Sequence, residues 1–578
     1  MNNGDFKNIS FQEDTLMKRV IFTFLVITIV ASAQAKYSGG TGASDNPYQI
    51  ATAEDLNDIG NHIEDFNKCF ILVNDINMAQ YDSNQFNIIG DLNDSADPNS
   101  PSNIPFAGVF DGCGYKVINF KLDSGLDGVG LFSFVDFNGQ ILNTGIENAD
   151  VNGHAGVGAL VGLNRGIIEN CYATGRVRGR NNAGGLVGKN AGGFITRCHS
   201  DMNVTGIGGA PFPFFIGGLV GQTDGNIADC HSSGTVSAYA DVGGLVGSTG
   251  QYSYNVVERC SSDANVSGNY RYIGGLVGSN YYGKILCSSA SGPVSGGEGV
   301  GGLIGYNNGE VNDSSNSASI VQGTSNVGGL IGYHFNYPIN RCRSSSSVQG
   351  TEYVGGLVGR VFVADINQCS SSGTVTADSN WVGGLVGYVE QNSKIANCYS
   401  SSNVSGYRFV AGLIGYLNSM IHTRADYLYS MGSVTGSTNT GGLIAYKSPL
   451  IQVFNSFWDI NTSGQGTSAG GTGRTTAQMK TMNTFTGAGW DFIWETTNGT
   501  ADIWAMCDGN DYPRLNCHLL RGENNGDSFV NFVDFTRLGA YWLTTDSTFP
   551  CVGADLTGDS WVDLDDLVVF VNYWLKGL

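Results

Sequence analysis

The string VGGLIGY at Val327 to Tyr333 constrains this chain more than any other feature, because near copies of it recur down the whole middle of the sequence. Versions reading GALVG, GGLVG, GGLIG or AGLIG place their leucine at 160, 186, 219, 245, 276, 303, 330, 357, 385, 413 and 443, and the weaker VGLFSFV adds Leu131. Most spacings fall between 26 and 31 residues, with one of 33 from Leu186 to Leu219. A period of this size marks stacked supersecondary units that bury their apolar faces against one another.

Each unit has the same interior. An I-x-x-C segment follows the glycine string, as at Ile195 to Cys198, Ile227 to Cys230, Ile366 to Cys369 and Ile395 to Cys398. A third apolar point follows at Val236, Val266, Val294, Val348, Val375 and Val404. These segments are short, rich in Val and Ile and bounded by Gly, Ser and Asn, which is the pattern of strands joined by tight turns. Helical spacing is missing. Three short strands per unit predict an all-β fold, a parallel β-solenoid (β-helix) of about twelve coils, right-handed because parallel connections prefer that hand. At a strand spacing of ~4.8 Å it makes a rod on the order of 55 to 60 Å long. A leucine-rich repeat needs L-x-x-L-x-L-x-x-N, which is absent. In VGGLIG a strand puts Val327 and Ile331 on one face and Leu330 on the other, so either the glycines form a bulge or both faces are covered.

The chain has 578 residues, a formal charge of −21, 14% charged residues and 85 glycines. That suits a large loop-rich β protein and argues against nucleic acid or anionic membranes as partners. Residues 18 to 35, KRVIFTFLVITIVASAQA, read as a secretory signal cleaved after Ala35, with Met17 as the expected true start. The expected division is a signal region at 1–35, an N-terminal cap with degenerate coils at 36–127, the repeat solenoid at 128–458, a C-terminal cap and linker at 459–522 and a small α-helical domain at 523–578. In the first cap Thr52 and Asp55 stand in capping-box positions before a short helix. Covering the first coil protects an open parallel edge. A separate enzymatic domain is the alternative there, although no nucleophile, base and orienting group are evident.

The opening YSGGTG…NPYQIATAEDLNDIG, the segment FAGVFDGCGY and the serial GGLVG units resemble the GLUG-motif proteins of bacteria over roughly residues 37 to 515. The resemblance implies an exported or surface-attached, adhesin-like chain. The motif also occurs beside peptidase domains of the immunoglobulin-cleaving type, but this sequence has no H-E-x-x-H, so that activity is not implied.

Eight cysteines fall within the units: Cys171, Cys198, Cys230, Cys260, Cys287, Cys342, Cys369 and Cys398, with Thr144 and Ser314 at the corresponding place elsewhere. In-register stacking keeps their Cβ vectors parallel, which suits neither a disulfide nor a tetrahedral metal site, so a buried column of small side chains is expected. Two of Cys507, Cys517 and Cys551 can pair in an exported protein.

Tyr306, Tyr333, Tyr388, Tyr416 and Tyr446 each follow the glycine-leucine string of a unit, and Phe215, Tyr272, Tyr353, Trp381 and Phe409 precede it, so stacking sorts them into two columns. Rows of flat aromatics stack on sugar rings, which makes Tyr272, Tyr306, Tyr333, Tyr353, Trp381, Tyr388, Tyr416 and Tyr446 candidate glycan-binding residues; self-stacking that stabilises turns is the plainer use. Catalysis needs clustered carboxylates, whereas the units carry scattered acids, Asp229, Glu258, Asp313 and Asp365, the first three at similar places in a shallow strip.

The last stretch is chemically explicit. Glu523 to Asp534 recurs 32 residues later as Asp555 to Asp566, with oxygen-bearing side chains at positions 1, 3, 5, 9 and 12 of both twelve-residue loops, the pattern that surrounds Ca²⁺ in an EF-hand-like loop. Each loop runs into an amphipathic segment, Phe535, Leu538 and Trp542 in one and Leu567, Phe570 and Trp574 in the other. This duplicated pair resembles a type I dockerin, a module that needs Ca²⁺ to fold and that docks onto cohesin domains. The resemblance implies two Ca²⁺ sites, one at Glu523, Asn525, Asp527, Phe529 (carbonyl), Asn531 and Asp534, the other at Asp555, Thr557, Asp559, Trp561 (carbonyl), Asp563 and Asp566. It also implies a cohesin-like partner selected by Phe532, Val533, Leu564 and Asp565. Glu523 replaces the usual aspartate, Thr557 the usual asparagine, and Ser528 and Ser560 the usual glycine, which costs ~1 kcal/mol at a left-handed position.

Two functions follow. One is a non-catalytic, exported rod, adhesin-like or glycan-binding, docked through its calcium module. The other is a polysaccharide-degrading β-helical enzyme, hydrolase or lyase, that carries a dockerin. Two carboxylates within ~5 to 10 Å in a groove favour the enzyme; aromatic rows favour the binder.

Overall fold

A computed structural model describes residues 36–516, apart from 94, 96, 209–213, 252, 419–422, 494 and 496, together with Leu567, Val568 and Val571. The expected signal region, both calcium loops and their partner-selecting positions, Cys517 and Cys551 lie outside the described residues.

Short strands climb one over another in parallel from end to end. Pairing starts where Tyr48–Ile50 lies on Cys69–Leu72 and continues coil by coil to Thr472–Arg474 on Phe457–Asp459. Among the described residues, twelve strands that follow the twelve leucines form one sheet, from Phe132–Val135 to Ile444–Lys447. The other faces belong to a second, continuous ladder. The chain is thus an all-β parallel solenoid of about twelve coils.

A typical coil holds five strand segments rather than the three expected: Ser325–Gly328, Ile331–Phe335, Ile339–Asn340, Arg343–Ser344 and Ser347–Gly350. The I-x-x-C segment is split because the residue before the inward cysteine sits in the left-handed region, as Arg341 does at φ 54°. That residue turns the chain and points its own side chain outward.

The phase of the glycine string is settled by a corner. Gly329 and Leu330 form a bend between the two sheets, so Val327, Leu330 and Ile331 are all fully buried in one core. Most corners need glycine, although Ala159 and Ala411 stand at the two corner positions in single coils. A Cβ on Gly328 would stand 1.9 Å from the carbonyl oxygen of Ile331, and one on Gly329 2.1 Å from that of Gly356 in the next coil. The corner carbonyl is then captured from inside: Asn316 Nδ2 donates to Gly329 O at 2.6 Å, and Ser200, Ser232, Ser371 and Ser430 hydroxyls do the same for Gly218, Gly244, Gly384 and Gly442.

Two further polar columns run through the core. Cys369 donates its thiol to Asn367 O at 3.3 Å and accepts the Cys342 N–H at 3.4 Å. The same relay joins Cys171 to Cys198 and Cys198 to Cys230. Burial pushes the thiols of Cys198, Cys342 and Cys369 well above the usual range. Cys287 does not belong to this column: it is exposed, and Ser288 takes the inward place, accepting from Cys260 N at 3.2 Å. The second column is an amide ladder in which Asn164 donates to Asn190, Asn280 to Asn307, and Asn307 meets His334.

Both ends are covered. The helix Ala53–Ile59 carries the expected capping box, Thr52 with Asp55. At the other end Thr476–Met479 and Met482–Thr486 are helical, and Trp504–Ala505 pairs antiparallel with Arg514–Leu515. There Tyr429, Phe457, Phe485, Trp490 and Trp504 form a separate apolar cluster against the outer face of the last coils.

Candidate functional site

Register brings the aromatic residues together. In the twelve-stranded sheet Ser248, Ser279, Tyr306, Tyr333, Arg360, Tyr388, Tyr416 and Tyr446 lie directly over one another. Beside them runs the column that precedes the glycine corner: Phe215, Asp241, Tyr272, Gly299, Asn326, Tyr353, Trp381 and Phe409, aligned by the paired residues that follow each of them, from Ile216↔Val242 to Val382↔Val410. The two columns expected from the sequence are one two-rowed strip.

From Tyr353 to Tyr446, rings within a row lie nearly parallel and rings across the rows nearly perpendicular, whereas Tyr306 and Tyr333 meet at 63°. Tyr388 stacks on Tyr416 (5.1 Å, 3°), Tyr416 on Tyr446 (4.4 Å, 19°), and Tyr353 on Trp381 (4.5 Å, 13°). Across the rows Tyr353 meets Tyr388 at 83°, Trp381 meets Tyr388 at 86°, and Phe409 meets Tyr416 at 86°. The result is a herringbone with half-buried tyrosine rims facing out. Tyr272 and Tyr306 extend the strip in a tilted contact (4.9 Å, 36°), and Tyr281, absent from the sequence-based candidates, joins at 5.6 Å from Tyr306.

The backbone beneath the second row is unusual. Phe215, Asp241, Tyr272, Asn326, Tyr353, Trp381 and Phe409 all have positive φ, from 36° to 64°, as does Gly299 at 65°. Gly, Asn and Asp adopt that conformation readily; a bulky ring costs roughly 1–2 kcal/mol. Ring pairing returns ~0.5–1.5 kcal/mol per contact. Stacking therefore offsets the strain without explaining why a ring was preferred to the asparagine found at Asn326 in the same row. The signal was present in the sequence, as aromatics standing where other units carry Gly, Asn or Asp.

Unpaired polar atoms gather in the same place. Among the described residues, the buried side-chain atoms without a hydrogen-bond partner include Ser248 Oγ, Asn326 Oδ1, Arg360 Nε and Trp381 Nε1 on this strip. Leaving such a group unpaired costs ~1–3 kcal/mol. Arg360 interrupts the tyrosine row; its guanidinium lies 5.3–5.7 Å from the rings of Tyr333, Tyr353 and Tyr388 and is bound to Glu390 at 2.9 Å. Burial pushes the phenols of Tyr281 and Tyr306 up to about 12 and the Asp241 carboxyl up to about 6.

The acids expected as a shallow strip are instead bound to arginines of the same or the next coil. Asp229 holds Arg259 at 2.7 Å, Asp313 holds Arg341 at 2.6 Å, and Glu258 also pairs with Arg259. Elsewhere, His62, Glu64 and Asp65 cluster near the N-terminal cap, where the Lys36 ammonium lies 2.6 Å from Asp65 and 2.9 Å from Glu64. A cavity of about 510 Å³ near the far end is lined by Thr423, Arg424, Leu450, Gln452, Phe454 and Asn455, none of them on the strip.

A family model for the GLUG motif matches residues 153–178, 216–237, 350–376 and 379–405, so the chain carries GLUG repeats. A stretch of 151 residues, 26% of this chain, is 32% identical to 2% of halomucin from Haloquadratum walsbyi. Another of 90 residues, 15% of this chain, is 39% identical to 9% of an Evansella cellulosilytica protein provisionally named a Gly-rich membrane protein. The chain thus spans a small part of the length of these relatives. A solved structure from Bacteroides ovatus, provisionally described as an immunoglobulin A1 protease, aligns at 26% identity and a TM-score of 0.38 over 45% of this chain and 80% of that one.

Proposed function

We propose that the chain is an exported, non-catalytic β-solenoid that binds polysaccharide along its aromatic strip and is joined to a cohesin-like partner by its C-terminal calcium-binding loops. The observation that carries the binding role is the placing of Tyr272, Tyr353, Trp381 and Phe409 on left-handed backbone, where an unstrained residue was available. Strain of this kind collects at functional sites. The tether rests on the duplicated loops at Glu523 to Asp534 and Asp555 to Asp566, whose oxygen spacing suits Ca²⁺. Export rests on the apolar, small-residue-ended segment at 18–35 and agrees with repeats shared by a protein named for a membrane location.

One observation favours the enzyme reading: Asp241, buried beside the aromatic strip, holds its proton up to about pH 6, as a general acid requires. Against it, the exposed acids Asp229, Glu258 and Asp313 are each bound to an arginine. The test is a panel of soluble and insoluble polysaccharides, scored by co-sedimentation or affinity electrophoresis beside reducing-sugar release. Retention without release is the expected result. Release abolished by Asp241→Asn would replace the binder with the enzyme, and no retention on any glycan would remove both.

A further inference from the structure

Resting on the binding role just proposed, we infer that the ligand is a neutral, extended polysaccharide lying parallel to the rod axis, about one ring per coil, hydrogen-bonded at its centre to Arg360 and Trp381. Three observations lead there. The first is spacing. Tyr306, Tyr333, Arg360, Tyr388, Tyr416 and Tyr446 are separated by five single-coil steps, roughly 24 Å at ~4.8 Å each. An extended β-linked sugar chain advances by a comparable length per ring. Such a chain meets an equivalent protein surface at every step, whereas a coiled or branched glycan drifts out of register.

The second is the chemistry between the rows. Arg360 Nε and Trp381 Nε1 are N–H donors with no acceptor, on adjacent coils at the middle of the strip. Sugar hydroxyl and ring oxygens are acceptors. Both donors are covered in the free protein, and the Tyr353 ring, stacked on Trp381 and 5.3 Å from the Arg360 guanidinium, lies against both. Binding therefore includes a turn of the Tyr353 side chain that opens the donors to the ligand.

The third is charge. At the centre of the strip the Arg360 cation is balanced by Glu390 at 2.9 Å. Arg271 and Arg408 lie over rings of the strip, 5.0 Å from Tyr272 and 4.5 Å from Phe409, so the neutral ligand rests on the balanced centre and on the chain's formal charge of −21, which repels polyanions.

The experiment titrates the full chain with β-linked gluco-, xylo- and manno-oligosaccharides from single sugars to chains of about eight rings, beside an oligogalacturonate series as the anionic control. Affinity is expected to climb with length, level off near five or six rings, and be weaker for the anionic series. Trp381→Phe keeps the ring and removes the donor; it and Arg360→Lys are expected to weaken the longest neutral oligosaccharide about tenfold. Melting profiles show whether these variants are folded. A single sugar bound as tightly as the longest chain overturns the axial placement and leaves glycan binding standing. An unchanged affinity in folded Trp381→Phe and Arg360→Lys overturns the donor pair. Tighter binding of the anionic series overturns the neutral ligand, and no binding in any series overturns both this inference and the binding role.

Discussion

His334 ends a ladder of buried amides and is the one member that titrates. It is fully buried, accepts at Nδ1 from Asn307 at 2.9 Å and donates from Nε2 to Tyr337 O at 2.6 Å, which fixes the neutral tautomer. Burial pulls its pKa down from 6.5 to about 4. The folded chain then binds fewer protons than the unfolded one between those values, so stability falls as pH drops from about 6.5 to about 4. The size is about 3 kcal/mol. Asp241, raised to about 6, acts in the opposite sense over nearly the same window, so wild-type stability alone hides the effect. His334→Asn extends the ladder without a proton to lose; denaturation at a series of pH values is expected to show the wild type losing about 3 kcal/mol relative to this variant across the window. The cysteine column gives a second prediction. Ser288 and Ser314 already relay the same bonds, so Cys369→Ser is expected to cost under about 1 kcal/mol in urea denaturation, whereas Cys369→Ala strands the Cys342 N–H and costs about 1–3. The column itself was legible from I-x-x-C. Cys287 was misplaced because it stands only two residues after Ile285; counting three lands on Ser288, and that signal was in the sequence.

At the scale of the strand and its corner, the two aromatic rows were readable from position, but not their meeting as a herringbone or the left-handed backbone under one of them. Sequence periodicity reports which residues stack, whereas φ depends on how the glycine corner directs the preceding residue. The alternation of VGGLIG was unreadable for the same reason: a bend at Gly329 and Leu330 puts successive residues on one side, which neither strand nor helix periodicity describes. The strain argument makes its own prediction. Trp381→Asn relieves ~1–2 kcal/mol of backbone cost and gives up ~0.5–1.5 kcal/mol per ring contact with Tyr353, Tyr388 and Tyr416. Its melting temperature is expected to stay within a few degrees of wild type while polysaccharide retention falls sharply. A large loss of stability would show that the ring is there for the fold.

Across the whole molecule, twelve leucines gave the coil number, yet the first coils carry no glycine string. Their core is filled instead by Phe70, Phe106, Phe110 and Phe132, in contact at 5.1–6.0 Å, so a wider aromatic core replaces the Val and Leu columns and the repeat signal fades. Near the far end the apolar cluster around Trp490 and Trp504 packs against the outer Tyr429 and Phe457 column. The rod's columns are internally bonded by thiol, hydroxyl and amide groups, whereas the proposed tail depends on calcium. Heat should therefore unfold the two in separate steps. A ligand held by the folded state alone adds about 2.7 kcal/mol at a hundredfold excess over its Kd. Scanning calorimetry with millimolar Ca²⁺ and then with EDTA is expected to shift a small transition assigned to residues 523–578 and leave the large solenoid transition in place. Asp527→Ala with Asp559→Ala should abolish the shift together with capture by a cohesin domain. If EDTA moves neither transition, the tail holds no calcium and the tether falls; if it moves the large one, calcium supports the rod itself.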